Sequence, residues 1–440
     1  MRKQGTNLHN RDLYLNRLIA FRDTEPVKII TGIRRCGKSS LMKLMAQYLR
    51  QNGVEERQII EANFESMEFR NMDAPTFYGW VKERLPQDKR AYLFFDEIQR
   101  MENWHDAVNS FRVDFDCDIY VTGSNAYLLS SEYATYLAGR SVEIKMLPLS
   151  FMEFLDFHGY TVRETPSPAG GMRKRIYDAD GEMYDVSELF DAYMKFGGMP
   201  GIADVGLDSD KALTLLDGVY STVVVRDILE RERRRGQRQI TDPDLLRKII
   251  MFLADNIGNS TSMNSIGNTL VNENLLDNDK RRGKPAVQTL QAYIGALLES
   301  YVFYEIKRFD IKGKEYLRTL SKFYIVDIGL RNYLLGFRGN DTGHCLENVV
   351  YFELLRRGYD VAVGKVGDKE VDFIASKTNE KKYIQVTETI ASPDTREREL
   401  APLRMIRDNY EKIVLVGDGE NRMTEDGIII RKLADFLLEA

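Results

Sequence analysis

The run Val27-Lys28-Ile29-Ile30-Thr31-Gly32-Ile33-Arg34-Arg35-Cys36-Gly37-Lys38-Ser39-Ser40-Leu41 decides how the rest of the chain is read. It opens on an apolar stretch too short for a helix, which predicts a buried strand. Gly32 to Ser39 fits G-x-x-x-x-G-K-[ST], the pattern of a phosphate-binding loop. Leu41, Leu44, Met45 and Leu49 then recur at helical spacing. Strand, glycine-bounded loop and helix arrive in the order this chemistry needs. The glycines let backbone N–H groups turn round a polyphosphate, and the helix N-terminus adds partial positive charge. The candidate phosphate-binding residues are Gly32, Ile33, Arg34, Arg35, Cys36, Gly37, Lys38, Ser39 and Ser40. Lys38 is assigned to the β- and γ-phosphates and the Ser39 hydroxyl to Mg²⁺.

A second segment, Ala91-Tyr92-Leu93-Phe94-Phe95-Asp96-Glu97, is an apolar strand that ends in two acids. A carboxylate at the end of a buried strand is costly unless it is paired or faces a cation. Asp96 beside the Mg²⁺ of the loop meets that condition, and Glu97 is then placed to activate an attacking water. A third strand, Asp118-Ile119-Tyr120-Val121-Thr122-Gly123, runs into Ser124-Asn125 at the carboxyl edge, where open α/β sheets bind ligands. Ser124 and Asn125 are candidates for the γ-phosphate or the water, although such residues also serve as plain turn formers.

Tyr136-Leu137-Ala138-Gly139-Arg140-Ser141 and Leu147-Pro148-Leu149-Ser150-Phe151-Met152-Glu153-Phe154-Leu155 follow. With the three segments above, in this order, they resemble the prokaryotic AAA+ superfamily ATPases whose C-terminal part is an uncharacterised restriction-endonuclease-like domain. The resemblance spans nearly the whole chain and is specific in the N-terminal half. It implies that Asn125 is a sensor residue and that Arg140 is an arginine finger, acting in cis or toward a neighbouring subunit. Taken alone, Arg140 reads as a solvated surface charge.

A chain of 440 residues exceeds what one core supports, so two or three domains are expected. With 43% apolar and 29% charged residues, its composition is that of a soluble globular protein. No apolar run approaches the ~18 residues of a membrane span and no secretory leader is recognised, so the expected setting is cytoplasmic, without a membrane partner. Cys36, Cys117 and Cys345 are scattered, which argues against a disulfide framework, and they do not group with histidines as a zinc site would. The net charge of −5 confines any nucleic-acid contact to a local patch.

The expected organisation is a P-loop AAA+-like α/β domain over residues 1–160, with a mostly parallel sheet. A helical lid with a flexible insertion (Thr161 to Glu182) follows over 161–240, a winged-helix region over 241–338 and a restriction-endonuclease-like α/β domain over 339–440. Within the first domain, Leu8 to Asp23 reads as an amphipathic helix whose Arg11 or Tyr14 touches the base. Gly197-Gly198-Met199-Pro200-Gly201 breaks one lid helix, and Lys211 to Glu232 forms the next, with Arg226 either a second sensor or an ion-pair partner. The basic run Arg231 to Arg238 is a solvated face by default and a nucleic-acid patch otherwise. Three helices and a hairpin (Val302 to Phe309, Tyr316 to Ile325) give the winged-helix pattern. Lys284 and Gln288 on its recognition helix, with Arg281 and Arg282 immediately before it, are the candidate DNA contacts, although such modules also bind proteins.

In the last third, Glu347 on a helix, Asp372 on a strand and Gln385 on the next match the acids of a restriction-endonuclease-like core. The position expected to hold lysine is Thr387, which breaks the pattern at the residue that would stabilise the attacked phosphate; Lys365 is the nearby candidate substitute. The domain is therefore expected to be non-cleaving. The resulting expectation is Mg²⁺-dependent ATP binding and slow hydrolysis, used to switch the C-terminal modules, with a protein partner or self-association as further partners. The competing readings are an ATP-regulated DNA nuclease and a nucleotide-binding interaction switch with little turnover.

Overall fold

The computed structural model describes residues 8–126, 139–166, 172–229, 240–272, 286–338 and 341–439. It divides into two units, Met1–Pro148 with Glu299–Tyr301, and Leu149–Leu298 with Val302–Ala440.

The first unit is built on β1 (Val27–Thr31), β2 (Ile59–Asn63), β3 (Ala91–Asp96), β4 (Cys117–Gly123) and β5 (Ser141–Lys145), with α1 (Asp12–Ala20) before them and α2 (Lys38–Gln51), α3 (Ala74–Lys82) and α4 (Trp104–Asp114) between them. The strands lie in the order β2-β3-β4-β1-β5, and every neighbouring pair is parallel. β1 and β3 are buried at each position, as strands covered by helices on both faces must be. The core on one face is aromatic. Phe77 of α3 meets Phe95 of β3 edge-on at 4.9 Å and Phe111 of α4 at 5.7 Å. Because β4 sits between β1 and β3, the carboxyl ends of these three strands share one edge.

Near the opposite edge lies a charge that the strand patterning conceals. Lys28 and Asp118 form an ion pair in which both side chains are wholly buried. The ammonium also donates to Thr24 O at 2.8 Å. Asp118 Oδ2 accepts from the Tyr120 hydroxyl at 2.9 Å and from Asp23 N at 2.8 Å. Burial holds the Lys28 ammonium below its ordinary range, with Asp118 opposing that drop.

The second unit holds two sheets. β6 (Thr161–Pro166), β7 (Met172–Tyr177) and β8 (Met183–Tyr184) pair antiparallel where a flexible insertion was expected. The strands are largely exposed, so ladder hydrogen bonds hold them rather than a core. That is why their charged sequence read as loop.

The larger sheet contains β9 (Phe303–Asp310), β10 (Glu315–Ile325), β11 (Asp360–Val366), β12 (Lys369–Lys377), β13 (Glu380–Thr389), β14 (Glu411–Asp418), β15 (Arg422–Met423) and β16 (Ile429–Lys432). Their order is β10-β9-β11-β12-β13-β14-β16-β15. The hairpin read as the wing thus continues into the last third of the chain, through the parallel pairing of β9 with β11. A continuous sheet crosses the boundary expected at 338/339. The earlier boundary also moves, since the helix Phe151–Phe157, capped by Ser150, falls in the second unit.

The glycine-rich breaker at 197–201 has a specific partner in this unit. Gly198 N donates to Asp327 Oδ2 at 2.6 Å, and Leu330 N donates to Oδ1 at 3.0 Å. A Cβ on Gly197 would lie 2.3 Å from that carboxylate. Burial pushes Asp327 up to about 6, against the backbone N–H groups that favour its charge.

The buried pair at the first sheet yields a stability test. Asp118→Asn leaves the Lys28 ammonium without its counter-charge and is expected to cost about 3–5 kcal/mol. Lys28→Met in the same chain is expected to recover most of that loss. Urea midpoints of the two single variants and the double variant measure both effects.

Candidate nucleotide site

β1 delivers the chain into a loop whose shape depends on two glycines. Gly32 sits at φ +142°, and a Cβ there would fall 2.1 Å from Met146 O. Gly37, at φ +105°, caps α2 in a left-handed conformation, and Arg35 between them also has positive φ, at 64°. Ser39 and Ser40 are exposed on the first turn of α2, whereas Lys38 is buried. The Lys38 ammonium donates to Gly32 O at 2.9 Å and to Ile33 O at 3.1 Å. Arg34 is paired with Glu65. The Cys36 thiol is buried against Met146 O at 3.6 Å, and burial pushes it above its ordinary range.

Arg11 and Tyr14 brace this loop and are not presented to a base. Arg11 Nη1 donates to Cys36 O at 3.2 Å and its Nη2 to Leu147 O at 3.0 Å. The fully buried Tyr14 accepts from Leu147 N at 3.1 Å. Helical patterning found α1 but not its partners, because those contacts join residues distant in the chain, 25 apart for Arg11 with Cys36 and 136 for Arg11 with Leu147.

At the end of β3, Asp96 and Glu97 are both buried. Asp96 Oδ1 accepts from Thr122 Oγ1 at 2.5 Å, and its Oδ2 accepts from Asn63 Nδ2 at 3.1 Å. Glu97 takes a left-handed backbone, φ 54° and ψ 42°, which is uncommon without glycine. The same Thr122 hydroxyl accepts from Glu97 N at 2.9 Å and helps to hold that turn. Glu97 Oε2 accepts from Gln99 Nε2 at 2.6 Å and from Ser124 Oγ at 3.2 Å. The hydroxyl of Ser39 and the carboxylate of Asp96 are hard oxygen donors of the kind Mg²⁺ takes when phosphates complete its shell.

Asn125 is buried beside Ser124 at the same sheet edge, but Ser124 makes the bond to Glu97. Arg140 is elsewhere. It is exposed and precedes β5, and its carbonyl accepts from Val27 N at 2.9 Å. Val27 opens β1, so Arg140 lies at the amino edge, about 16 Å of strand from the loop. Parallel β1 and β5 thus place the arginine at the end of the sheet away from the loop. Sequence reasoning also passed over Thr122, Asn63 and Gln99. A hydroxyl inside an apolar strand was the available signal for Thr122.

In the second unit, Glu347 on the helix Thr342–Arg356, Asp372 on β12 and Thr387 on β13 line a cleft of about 350 Å³ with His344, Arg398 and Glu399. Gln385 joins them. Its Oε1 accepts from Asp372 N at 2.8 Å, and its Nε2 donates to Glu399 Oε2 at 3.0 Å. The cation at these acids is Lys322 of β10 rather than Lys365. Its ammonium lies 2.7 Å from Glu370 and 3.4 Å from Glu347. Burial opposes the charge on Lys322, yet Glu347, Asp372 and Glu370 hold it above its ordinary range. Burial likewise works against Glu347, but Lys322 leads the groups that keep it below the usual carboxylate range. Asp372 is pushed well up, by burial first and then by Glu347. Among the described residues, no group of three or more His, Cys, Asp or Glu side chains is placed to hold a metal ion. Gln288 is exposed on the helix Val287–Glu299, while Arg281, Arg282 and Lys284 lie outside the described residues, as does the basic run at 231–238.

The parallel sheet, the glycine loop opening onto α2 and the paired acids at one edge define an AAA-type P-loop ATPase fold. A family model described as an AAA domain matches residues 24–155, and a domain of unknown function (DUF8612) matches residues 187–341. The chain belongs to the family of an uncharacterized protein from Haemophilus influenzae, with which it is 39% identical over 432 residues, 98% of each chain. Uncharacterized protein MJ1544 of Methanocaldococcus jannaschii is 29% identical over 414 residues, 91% of this chain and 84% of that one. Among solved structures, the Walker-type ATPase paby2304 of Pyrococcus abyssi aligns over 74% of this chain and 95% of its own, with a TM-score of 0.46 and 15% identity.

The loop geometry can be tested without a ligand. Gly32→Ala drives a Cβ onto Met146 O, whereas Gly53→Ala, at φ +86°, meets nothing within 4 Å. Gly53→Ala is expected to cost about 1 kcal/mol of backbone strain, and Gly32→Ala about 1–3 kcal/mol beyond that. The urea midpoints of the two variants read the difference.

Proposed function

We propose that the chain binds ATP with Mg²⁺ at the carboxyl edge of the first sheet and hydrolyses it slowly. Its nucleotide state then sets the arrangement of the C-terminal modules. The observation that carries this reading is the convergence of the Gly32–Ser39 loop with Asp96 and Glu97 at one edge, Glu97 being held in a strained left-handed turn. Lys38 is assigned to the β- and γ-phosphates and the loop N–H groups to their oxygens. Ser39 and Asp96 would hold Mg²⁺, which neutralises phosphate charge when bound. Glu97 takes a proton from water as the water oxygen bonds to the γ-phosphorus. The bond from that phosphorus to the bridging oxygen breaks, and ADP leaves with its electrons. Asn125 is assigned to sensing the γ-phosphate. Arg140 keeps a role only toward a neighbouring subunit, which rests on self-association.

Two variants test the chemistry. Glu97→Gln keeps the shape and loses the base, so turnover is expected to fall about 100-fold or more with ATP binding retained. Lys38→Ala is expected to weaken binding itself. Phosphate release and nucleotide titration separate these effects, and equal turnover of Glu97→Gln and wild type would sink the assignment.

For the second unit we propose recognition rather than cleavage. Thr387 supplies no positive charge to an attacked phosphate, and the buried Lys322 is already engaged by Glu347 and Glu370. DNA contact, if made, is assigned to Arg281, Arg282, Lys284 and Gln288. Plasmid and single-stranded DNA incubated with Mg²⁺ or Mn²⁺, with and without ATP, are expected to stay intact on gels. Cutting that vanishes in both Glu347→Ala and Asp372→Ala would make the domain a nuclease instead.

A further inference from the structure

Gln99 follows Glu97 by two residues, in the short turn Ile98–Arg100 that closes β3. Both donors at the Glu97 carboxylate, Gln99 Nε2 and Ser124 Oγ, converge on the single oxygen Oε2. Among the described residues, Oε1 accepts no hydrogen bond. The Gln99 amide must present its NH₂ to Glu97, because a carboxylate only accepts. That orientation leaves Gln99 Oε1 buried without a partner. An unmade buried acceptor is unfavourable. A glutamine serving packing alone would turn to satisfy both ends. The neighbouring Asn63 donates to Asp96 rather than to Glu97.

We propose that Gln99 is a positioning residue for the water activator. It anchors Glu97 through Oε2, fixes the carboxylate in one rotamer and leaves Oε1 as the oxygen that receives the proton from water. Ser124 contributes the weaker second anchor from the end of β4. The proposal rests on the assignment of Glu97 as the base. It adds that the base is held by its own strand's turn, and that this anchor acts on turnover without touching the nucleotide.

Gln99→Met keeps the length and removes both polar ends. We expect kcat for ATP hydrolysis to fall about tenfold or more, with KM and nucleotide affinity within about twofold of wild type. Gln99→Glu, which sets a second carboxylate against Glu97, is expected to lose at least as much. In a Glu97→Gln background, Gln99→Met is expected to change nothing further, since it acts only through the base. Melting curves and nucleotide titrations establish that each variant is folded and loaded. Wild-type turnover in Gln99→Glu, or a loss that multiplies with that of Glu97→Gln, overturns the anchor while the base assignment stands. Wild-type turnover in Glu97→Gln overturns both, so the two failures are told apart by that single variant.

Discussion

The hydroxyl of Thr122 is the interaction on which the first sheet's edge depends. One oxygen donates to Asp96 and accepts from the amide of Glu97. It sits on β4, the strand between the loop strand β1 and the acid strand β3. Remove it and Asp96 keeps only Asn63, while the strained turn at Glu97 loses the bond that opposes its relaxation. A methyl in its place would be nearly isosteric and would still leave a buried carboxylate and a buried N–H short of partners. The strand order therefore does more than stack apolar faces. It brings a hydroxyl from one crossover to the two charged residues ending another.

Burial of charge is handled differently in the second unit. Glu347, Glu370 and Asp372 sit around one lysine, and the helix, β10 and β12 each supply part of the cluster. Lys322 offsets all three, and Asp372 Oδ2 also accepts from Val386 N at 2.8 Å. The pKa of Asp372 is raised by burial first and then by the neighbouring Glu347 charge.

Much of the first unit was legible because its signals are local. The spacing of Gly32, Gly37 and Lys38 lies within seven residues, and the apolar runs ending at Asp96 and Gly123 mark strand ends directly. Pairing is not local, and there the sequence was silent. Lys28 and Asp118 lie ninety residues apart and meet through parallel register. Arg140 received its role from resemblance, but strand direction carries it to the amino edge. Lys322 was one residue of an expected wing until β9 paired with β11. The sheet of β6, β7 and β8 went unseen because period-two patterning marks burial, and those strands bury little.

The Lys38 ammonium is bonded to two carbonyls of its own loop, those of Gly32 and Ile33. On the proposed reading, a polyphosphate that takes this ammonium draws it from those two carbonyls, and occupancy then follows a pre-equilibrium between self-bonded and open loops. Each 1.4 kcal/mol by which the self-bonded form is favoured weakens apparent affinity about tenfold. A lone phosphate replaces few of the contacts it disrupts, whereas a triphosphate with its metal replaces many. On the proposed reading, the lysine's bonds to its own loop separate how tightly that loop can hold a nucleotide from how readily it responds to one.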